Sequence, residues 1–281
     1  MNKNINIVLV IFLFLDVMYV TKAQSYYPEV NGYYVSQNTQ YNTAVTTDSS
    51  KFLLNIRHKA FSNTNIYWSG LDANWRFSNS RIRQWLGVWV NNSQQGPYIT
   101  SPSFYFKYKI SLPLSETYSL AIGTQIGNNS FLISIPGQGF NYSLLDGQVG
   151  LFLNHPKWNM GASSDHIFNN KQLNVYFKRY YNFHLNYISN ISAFWQIDNG
   201  FLIRYFSDYT PDVRVGSRLK FKDAFRVGIF ANRFNSCSLI AEPIFKIGNT
   251  DFQISLGYNF QYLSSVSYLP NSFELGIKIL K

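Results

Sequence analysis

Between Asp251 and Tyr262 the chain alternates strictly. Phe252, Ile254, Leu256, Tyr258, Phe260 and Tyr262 form one row, and Asp251, Gln253, Ser255, Gly257, Asn259 and Gln261 form the other. Side chains of a strand point to opposite faces in turn, so this stretch has one oily face and one wet face. The same pattern recurs from about residue 51 to the C-terminus.

About fourteen strands are predicted, near 51–59, 65–78, 83–91, 101–110, 117–126, 147–154, 157–164, 173–187, 191–206, 212–221, 224–233, 236–247, 251–262 and 272–280. Many have about 9–12 residues, the length that crosses a bilayer when tilted. With the N-terminus in the periplasm, the outward loops fall at 60–64, 92–100, 127–146, 165–172, 207–211, 234–235 and 263–271. The inward turns at 79–82, 111–116, 155–156, 188–190, 222–223 and 248–250 are mostly shorter, as in outer-membrane barrels. A soluble sandwich or lipocalin-like barrel would turn the oily row inward instead, and some 230 residues is large for one such unit. Three places strain the pattern. Arg179 falls on an apolar face and is expected near an interface, where it can snorkel. Asn199-Gly200 is a hairpin-turn dipeptide that either splits 191–206 or sits there as a bulge. Residues 130–135 allow one more short strand.

The N-terminus reads as an export signal. Lys3 precedes the unbroken apolar run Ile7–Leu15, and Thr21-Lys22-Ala23 offers a cleavage site, so the mature chain is expected to start at Gln24. The run ends at Asp16, well short of the roughly 20 residues a spanning helix needs. Residues 24–50 are polar, with Pro28 and Gly32, and show no sustained period. They are expected to be irregular, lying in the periplasm or folding into the barrel mouth.

Aromatic residues make up 18% of the chain, with 24 Phe, 21 Tyr and 6 Trp, a share that suits strands and interfacial girdles. The formal net charge is +10; without Lys3, Lys22 and Asp16 it is +9. The basic residues are spread along the polar rows rather than clustered, which speaks against nucleic acid as a partner. Arg57, Asp72, Arg76, Lys107, Lys109, Lys178, Arg204, Arg214, Arg218, Lys220, Arg226, Glu242, Lys246 and Lys278 would line an anion-selective bore or fill a closed one. Tyr105, Tyr176, Tyr180 and Phe230 share that face and favour filling. The single cysteine, Cys237, excludes an internal disulfide and is expected to face lipid with Leu239 and Ala241.

Signals for chemistry are sparse. His58, His155, His166 and His184 show no metal-ligand spacing. Asp165-His166, in a predicted outer loop, is the one pair that could act as orienter and base, and His184 lies on a polar face. A lone Asp-His in a polar loop is far more often solvated. No Gly-x-Ser-x-Gly elbow occurs, and Gly137-Gln138-Gly139 is loop punctuation. No catalytic, cofactor-binding or metal-ligating residue is assigned.

Leu86–Pro97 (LGVWVNNSQQGP) resembles the strand and Gly-Pro loop of PorP/SprF-type outer-membrane proteins of Bacteroidota. Tyr105–Ile110 and Leu120–Gly127 are similar to that family's next hairpin, Val149–Phe152 and His166–Lys171 to its middle hairpin and loop, and Glu274–Lys278 to its closing strand. The family's Asn-Pro-Ala-Tyr-like stretch before strand one reads Tyr41-Asn42-Thr43-Ala44-Val45 here, without the Pro, and the chain ends Ile279-Leu280-Lys281 rather than on an aromatic residue. The resemblance implies a non-enzymatic part of type IX secretion and gliding. Its implied partners are the translocon, periplasmic ring or motor components, and a secreted adhesin.

The expectation is therefore an all-β, antiparallel transmembrane β-barrel of about fourteen strands, within a range of about 12–16, in contact with outer-membrane lipid. A cleaved signal (1–23), an irregular segment (24–50) and a barrel (51–281) divide the chain. The alternative function is a passive anion-selective channel of the bacterial outer membrane.

Overall fold

The computed structural model describes residues 42–45, 50–78, 81–168, 179–206, 211–232, 236–261 and 271–281. The expected signal segment, most of the irregular segment and residues 173–178 of the expected eighth strand lie outside the described residues. The strands are β1 (Phe52–Phe61), β2 (Tyr67–Ser78), β3 (Arg83–Gln95), β4 (Ile99–Pro113), β5 (Ser119–Ile135), β6 (Gln138–His155) and β7 (Trp158–Asp165). They continue as β8 (Tyr180–Asn190), β9 (Trp195–Phe206), β10 (Asp212–Phe221), β11 (Phe225–Asn232), β12 (Ser236–Ile247), β13 (Thr250–Gln261) and β14 (Ser272–Leu280). Each pairs antiparallel with its neighbours in sequence, and β14 pairs with β1, so the fourteen described strands close into a barrel. Beyond the last paired residues, Phe52 and Lys281 exchange both backbone hydrogen bonds, at 2.8 and 3.0 Å.

Which row faces which way follows from exposure. On β13, Gln253, Ser255 and Asn259 are buried while Leu256 is 52% exposed. On β4, Lys107 and Lys109 are buried while Phe106 is 61% exposed. The polar row thus faces the lumen and the oily row faces out, the reverse of a soluble barrel. Cys237 is half-buried in the outward row beside the exposed Leu239. Aromatic rings gather beside the turns at one end of the strands: Tyr118 stacks on His155 at 4.7 Å, and Trp195 meets Phe221 at 4.7 Å. Such rings suit the amphipathic interface.

The structure departs from the sequence expectation in several places. Residues 127–146 are not a loop. β5 runs on to Ile135, β6 begins at Gln138, and the two pair continuously from Ser119↔Asn154 to Ile135↔Gln138. The connection is the two residues 136–137, where Gly137 adopts φ +84°, a conformation glycine takes without strain. Residues 92–100 are likewise mostly strand, with the turn at 96–98. The extra length of the outer side therefore lies in extended ribbons as much as in loops. Asn199-Gly200 neither turns nor bulges. It sits inside β9 in unbroken register, with Gly200 opposite Asn186 on β8 and Gly216 on β10. The turn lies at 191–194, where Ser192 Oγ accepts from the N–H groups of Phe194 and Trp195. A glycine is needed at Gly216 because the Phe230 ring lies where its Cβ would be. Arg179 stands just ahead of β8 and donates to Ile167 O.

Leu256 lies at the middle of its oily row, between Leu275 on β14 and Ala241 on β12. Leu256→Arg is expected to weaken folding by about 2–4 kcal/mol, the cost of a cation near the bilayer midplane. Urea titration of the protein in lipid vesicles measures this.

Candidate functional site

The lumen is the candidate site, because the barrel gathers its polar chemistry there. Its first occupant is the chain itself. Asn42, Thr43 and Ala44 are completely buried against the inner wall of β5–β7. Three glycines on adjacent strands make the room. A Cβ on Gly123 would strike the backbone of Ala44, one on Gly150 the Asn42 side chain, and one on Gly161 both Asn42 and His184. Asn42 Nδ2 donates to the carbonyls of Leu151 and Ala162 at 2.7 and 3.2 Å. Its Oδ1 accepts from Ala44 N–H at 2.9 Å, and its carbonyl accepts from Val45 N–H at 3.2 Å, which folds the segment into a turn. Lys109 Nζ donates to Val45 O at 3.0 Å. Thr43 N–H donates to Gln148 Oε1 at 2.7 Å. A proline at 43 has no N–H to give, so the departure from the Asn-Pro-Ala pattern adds a tether here.

Around this segment the charges pair. Arg218 bridges Asp198 at 2.8 Å and Glu242 at 3.2 Å, and Ser255 Oγ donates to the second oxygen of Glu242. Lys107 meets Asp72 at 2.9 Å, and Asn74 donates to the same carboxylate. Arg57 donates to Asn55 and lies 3.7 Å from Glu274. Of the polar-row residues expected in the lumen, Arg57, Asp72, Lys107, Lys109, Arg204, Arg214, Arg218 and Glu242 are buried. Arg76, Lys220, Arg226 and Lys278 are half-buried; Lys246 is exposed near the turn after β12, and Lys178 lies outside the described residues. Tyr105, Tyr180 and Phe230 are buried inside, while Tyr176 also lies outside the described residues. Side chains of this bulk leave the described lumen packed.

Asp165 and His166 are neighbours in sequence but not partners. Asp165 ends β7 facing inward and accepts from Gln148 and Asn182. His166 turns through φ 55° and places Nδ1 2.8 Å from Asp146 Oδ2, which also accepts from Tyr105 OH at 2.8 Å. The pair expected from sequence is thus replaced by Tyr105–Asp146–His166. Asp146 escaped notice because 127–146 read as a loop; the outward row Leu145, Val149, Leu151 carried the signal that β6 starts earlier. His184 is buried beside Phe152, with neither ring nitrogen hydrogen-bonded, so nothing there orients it as a base. Among the described residues no three His, Cys, Asp or Glu side chains gather as metal ligands.

Above the segment a small cavity of about 30 Å³ lies among Trp89, Asn91, Tyr105, Asp146, Tyr180 and Arg204. Trp89 stacks on Tyr105 at 5.2 Å, and the Arg204 guanidinium sits 4.7 Å over the Tyr180 ring.

Residues 24–279 match the family model described as type IX secretion system membrane protein PorP/SprF. No curated protein matches the sequence. Among solved structures, the CymD monoaromatic hydrocarbon channel is similar at TM-score 0.62 and 12% identity, over 93% of this chain and 94% of that one. The Pseudomonas putida toluene transporter TodX is similar at TM-score 0.58 and 8% identity, over 92% and 94%. The Acinetobacter baumannii outer membrane protein Omp33 gives 0.50 and 8%, over 83% and 98%. At these identities the likeness is one of fold: a barrel of the bacterial outer membrane.

Two outcomes follow from the lumen's bonding. Asn42→Ala removes both ties to the wall carbonyls, each worth about 1 kcal/mol. Amide exchange of residues 42–45 is expected to quicken by at least tenfold while β5–β7 keep their protection, as read by mass spectrometry. Arg218→Met strands two buried carboxylates and is expected to cost about 3–5 kcal/mol in vesicle unfolding titrations. Adding Asp198→Asn and Glu242→Gln is expected to recover most of that loss.

Proposed function

The chain belongs to the PorP/SprF family of type IX secretion system membrane proteins, and from that premise we propose that it is a non-enzymatic component of that apparatus supporting export or surface attachment of a secreted adhesin. The family match along nearly the whole chain carries this reading. The packed lumen supports it. Arg218, Glu242 and Lys107 are tied to partners inside the barrel, and the segment 42–45 is tethered to its wall, so binding work falls to the loops, ribbons and periplasmic turns. The outer ribbons of β3–β6 reach the substrate side, and the periplasmic turns reach the translocon and the ring or motor components. A role in gliding follows where the adhesin serves movement. A secretion-system membrane protein and an outer-membrane barrel are non-enzymatic types, and the Asp165 and His166 side chains do not form a dyad. In the same reading residues 1–23 are removed on export, which Edman sequencing of the purified protein checks by starting at Gln24.

Deleting the gene is expected to strip one or a few large adhesins from the cell surface while the rest of the secreted proteome persists. Quantitative proteomics of surface and medium measures this, and unchanged proteomes would overturn the proposal. In planar bilayers the purified protein is expected to be silent. Steady anion-selective conductance would instead favour a channel.

A further inference from the structure

One mouth of the barrel, where β1 starts and β14 ends, is lopsided in charge. Its inward rows finish on cations. Arg76 stands opposite the buried Trp85, and Lys278 stands between the buried Asn55 and Gln253, so both belong to inward rows. Arg226 likewise lies between Glu242 on β12 and Lys220 on β10. Lys51, Arg81 and Lys222 extend the set into the adjoining strand ends and turns. In the closed strand order all of these fall on one continuous arc, from β10 through β14 and β1 to β3. The turns of the remaining arc, β4–β9, carry Glu116 and Lys157 as their only charged residues. Cations that are spread along the sequence are thus gathered by closure of the barrel.

The acids of this arc's turns are already taken. Asp223 meets Lys220 at 2.7 Å, and Asp251 lies 4.0 Å from Lys246. Lys51, Arg81, Lys222 and Lys278 have no ion pair among the described residues. The Lys222 ammonium stands 4.4 Å over the Phe194 ring rather than against an anion. Arg226 gives one N–H to Gln253 Oε1 at 3.2 Å and keeps its Nε buried without a hydrogen bond. Like charges gathered without counter-charge repel one another, and an anion arriving from outside relieves that cost.

The position of the cations selects the anion. Lipid surrounds the outward row, and the outward rim of this arc is apolar: Trp75, Phe77, Phe225, Phe245 and Ile247 are exposed there. The cations continue the inward rows instead, so they ring the opening rather than the lipid belt. A small anion would neutralise one or two of them, whereas the arc runs over eight neighbouring strands, about 30 Å or more of rim. The chain's own segment 24–50 brings only Glu29 and Asp48. A soluble protein surface bearing several Asp and Glu matches both the sign and the reach.

We propose that this mouth, from β10 round the β14–β1 seam to β3, docks an acidic segment of a soluble protein partner, whose carboxylates meet Lys51, Arg81, Lys222, Arg226 and Lys278. The inference rests on the reading of the chain as a secretion component whose periplasmic turns hold partners, and the two fail separately: peptide binding reports the mouth, and the surface proteome reports the secretion role. The test uses the full mature protein in nanodiscs of neutral lipid. Its probe is a fluorescent Glu- and Ala-rich peptide of about 20 residues, long enough as a helix to span the arc, with a copy carrying Gln for Glu. By anisotropy the Glu peptide is expected to bind about tenfold more tightly than the Gln copy, and to weaken as NaCl is raised. Lys51→Gln with Arg81→Gln is expected to lose most of that preference, while the charge-matched pair Lys157→Gln with Arg179→Gln keeps it. Lys222→Gln with Lys246→Gln probes the other end of the arc and serves if the first pair fails to fold. Heat-modifiable gel migration reports folding. A photo-crosslinking copy of the Glu peptide is expected to label the turns at 79–82 and 222–224. Equal binding of the two peptides, equal losses in the mouth variants and the charge-matched pair, labelling elsewhere, tighter binding of a DNA oligonucleotide, or displacement of the peptide by anionic lipid in the nanodisc would overturn the proposal.

Discussion

Closure is the constraint on which everything else rests. Inside hydrocarbon no water meets a backbone N–H or carbonyl, so a sheet with a free edge cannot stand there. β1 and β14 remove the edge by pairing from Leu53↔Leu280 to Phe61↔Ser272, and Phe52 and Lys281 complete the seam. Once the sheet is a cylinder, the two rows of every strand become inside and outside. The oily row has no interior to pack into; it takes the lipid as its solvent. The polar row is forced into a space from which most water is displaced by its own side chains.

That confinement sets the chemistry of the lumen. Charges taken from water are costly unless matched, and the matching here is lateral, between strands one or two apart in the wall. Arg218 on β10 reaches β9 and β12, Lys107 on β4 reaches β2, and Tyr105 on β4 reaches β6. Space is managed by glycine. Gly123, Gly150 and Gly161 cut a recess for the segment 42–45, and Gly216 admits the ring of Phe230. Matching is not complete: on β3, Trp89 Nε1 and Asn91 Oδ1 are buried beside a small cavity without a hydrogen bond.

The barrel was legible because alternation is local. Phe252 to Phe260 announce their face whatever their neighbours do. Legibility failed where polar residues occupied the outward row or a turn signal met a continuous register. Asn128 and Ser143 face outward and satisfy each other across β5 and β6 at 2.6 Å, which made a strand look like a loop. Asn199 likewise accepts from Ser217 across β9 and β10 at 2.9 Å, so a turn dipeptide lies flat in the wall. In both cases cross-strand pairing supplied what the residue alone does not reveal. Asp165-His166 misled for the complementary reason. Residues adjacent in an extended chain diverge, and the left-handed turn at His166 carried its ring to a carboxylate 20 residues away in sequence but next door across the wall.

By itself the sequence determined an oily row outside and a polar row inside, the approximate strand number, and the family, because each rests on residue spacing within one strand or on short motifs. The tertiary structure alone decided which polar groups meet: that Asp146 rather than Asp165 takes His166, that Asn42 finds two wall carbonyls, and that Asn91 finds none of these partners. The physical reason is register. A strand's side chains know their face from their own period, but their partners are chosen by where the next strand lies beside them.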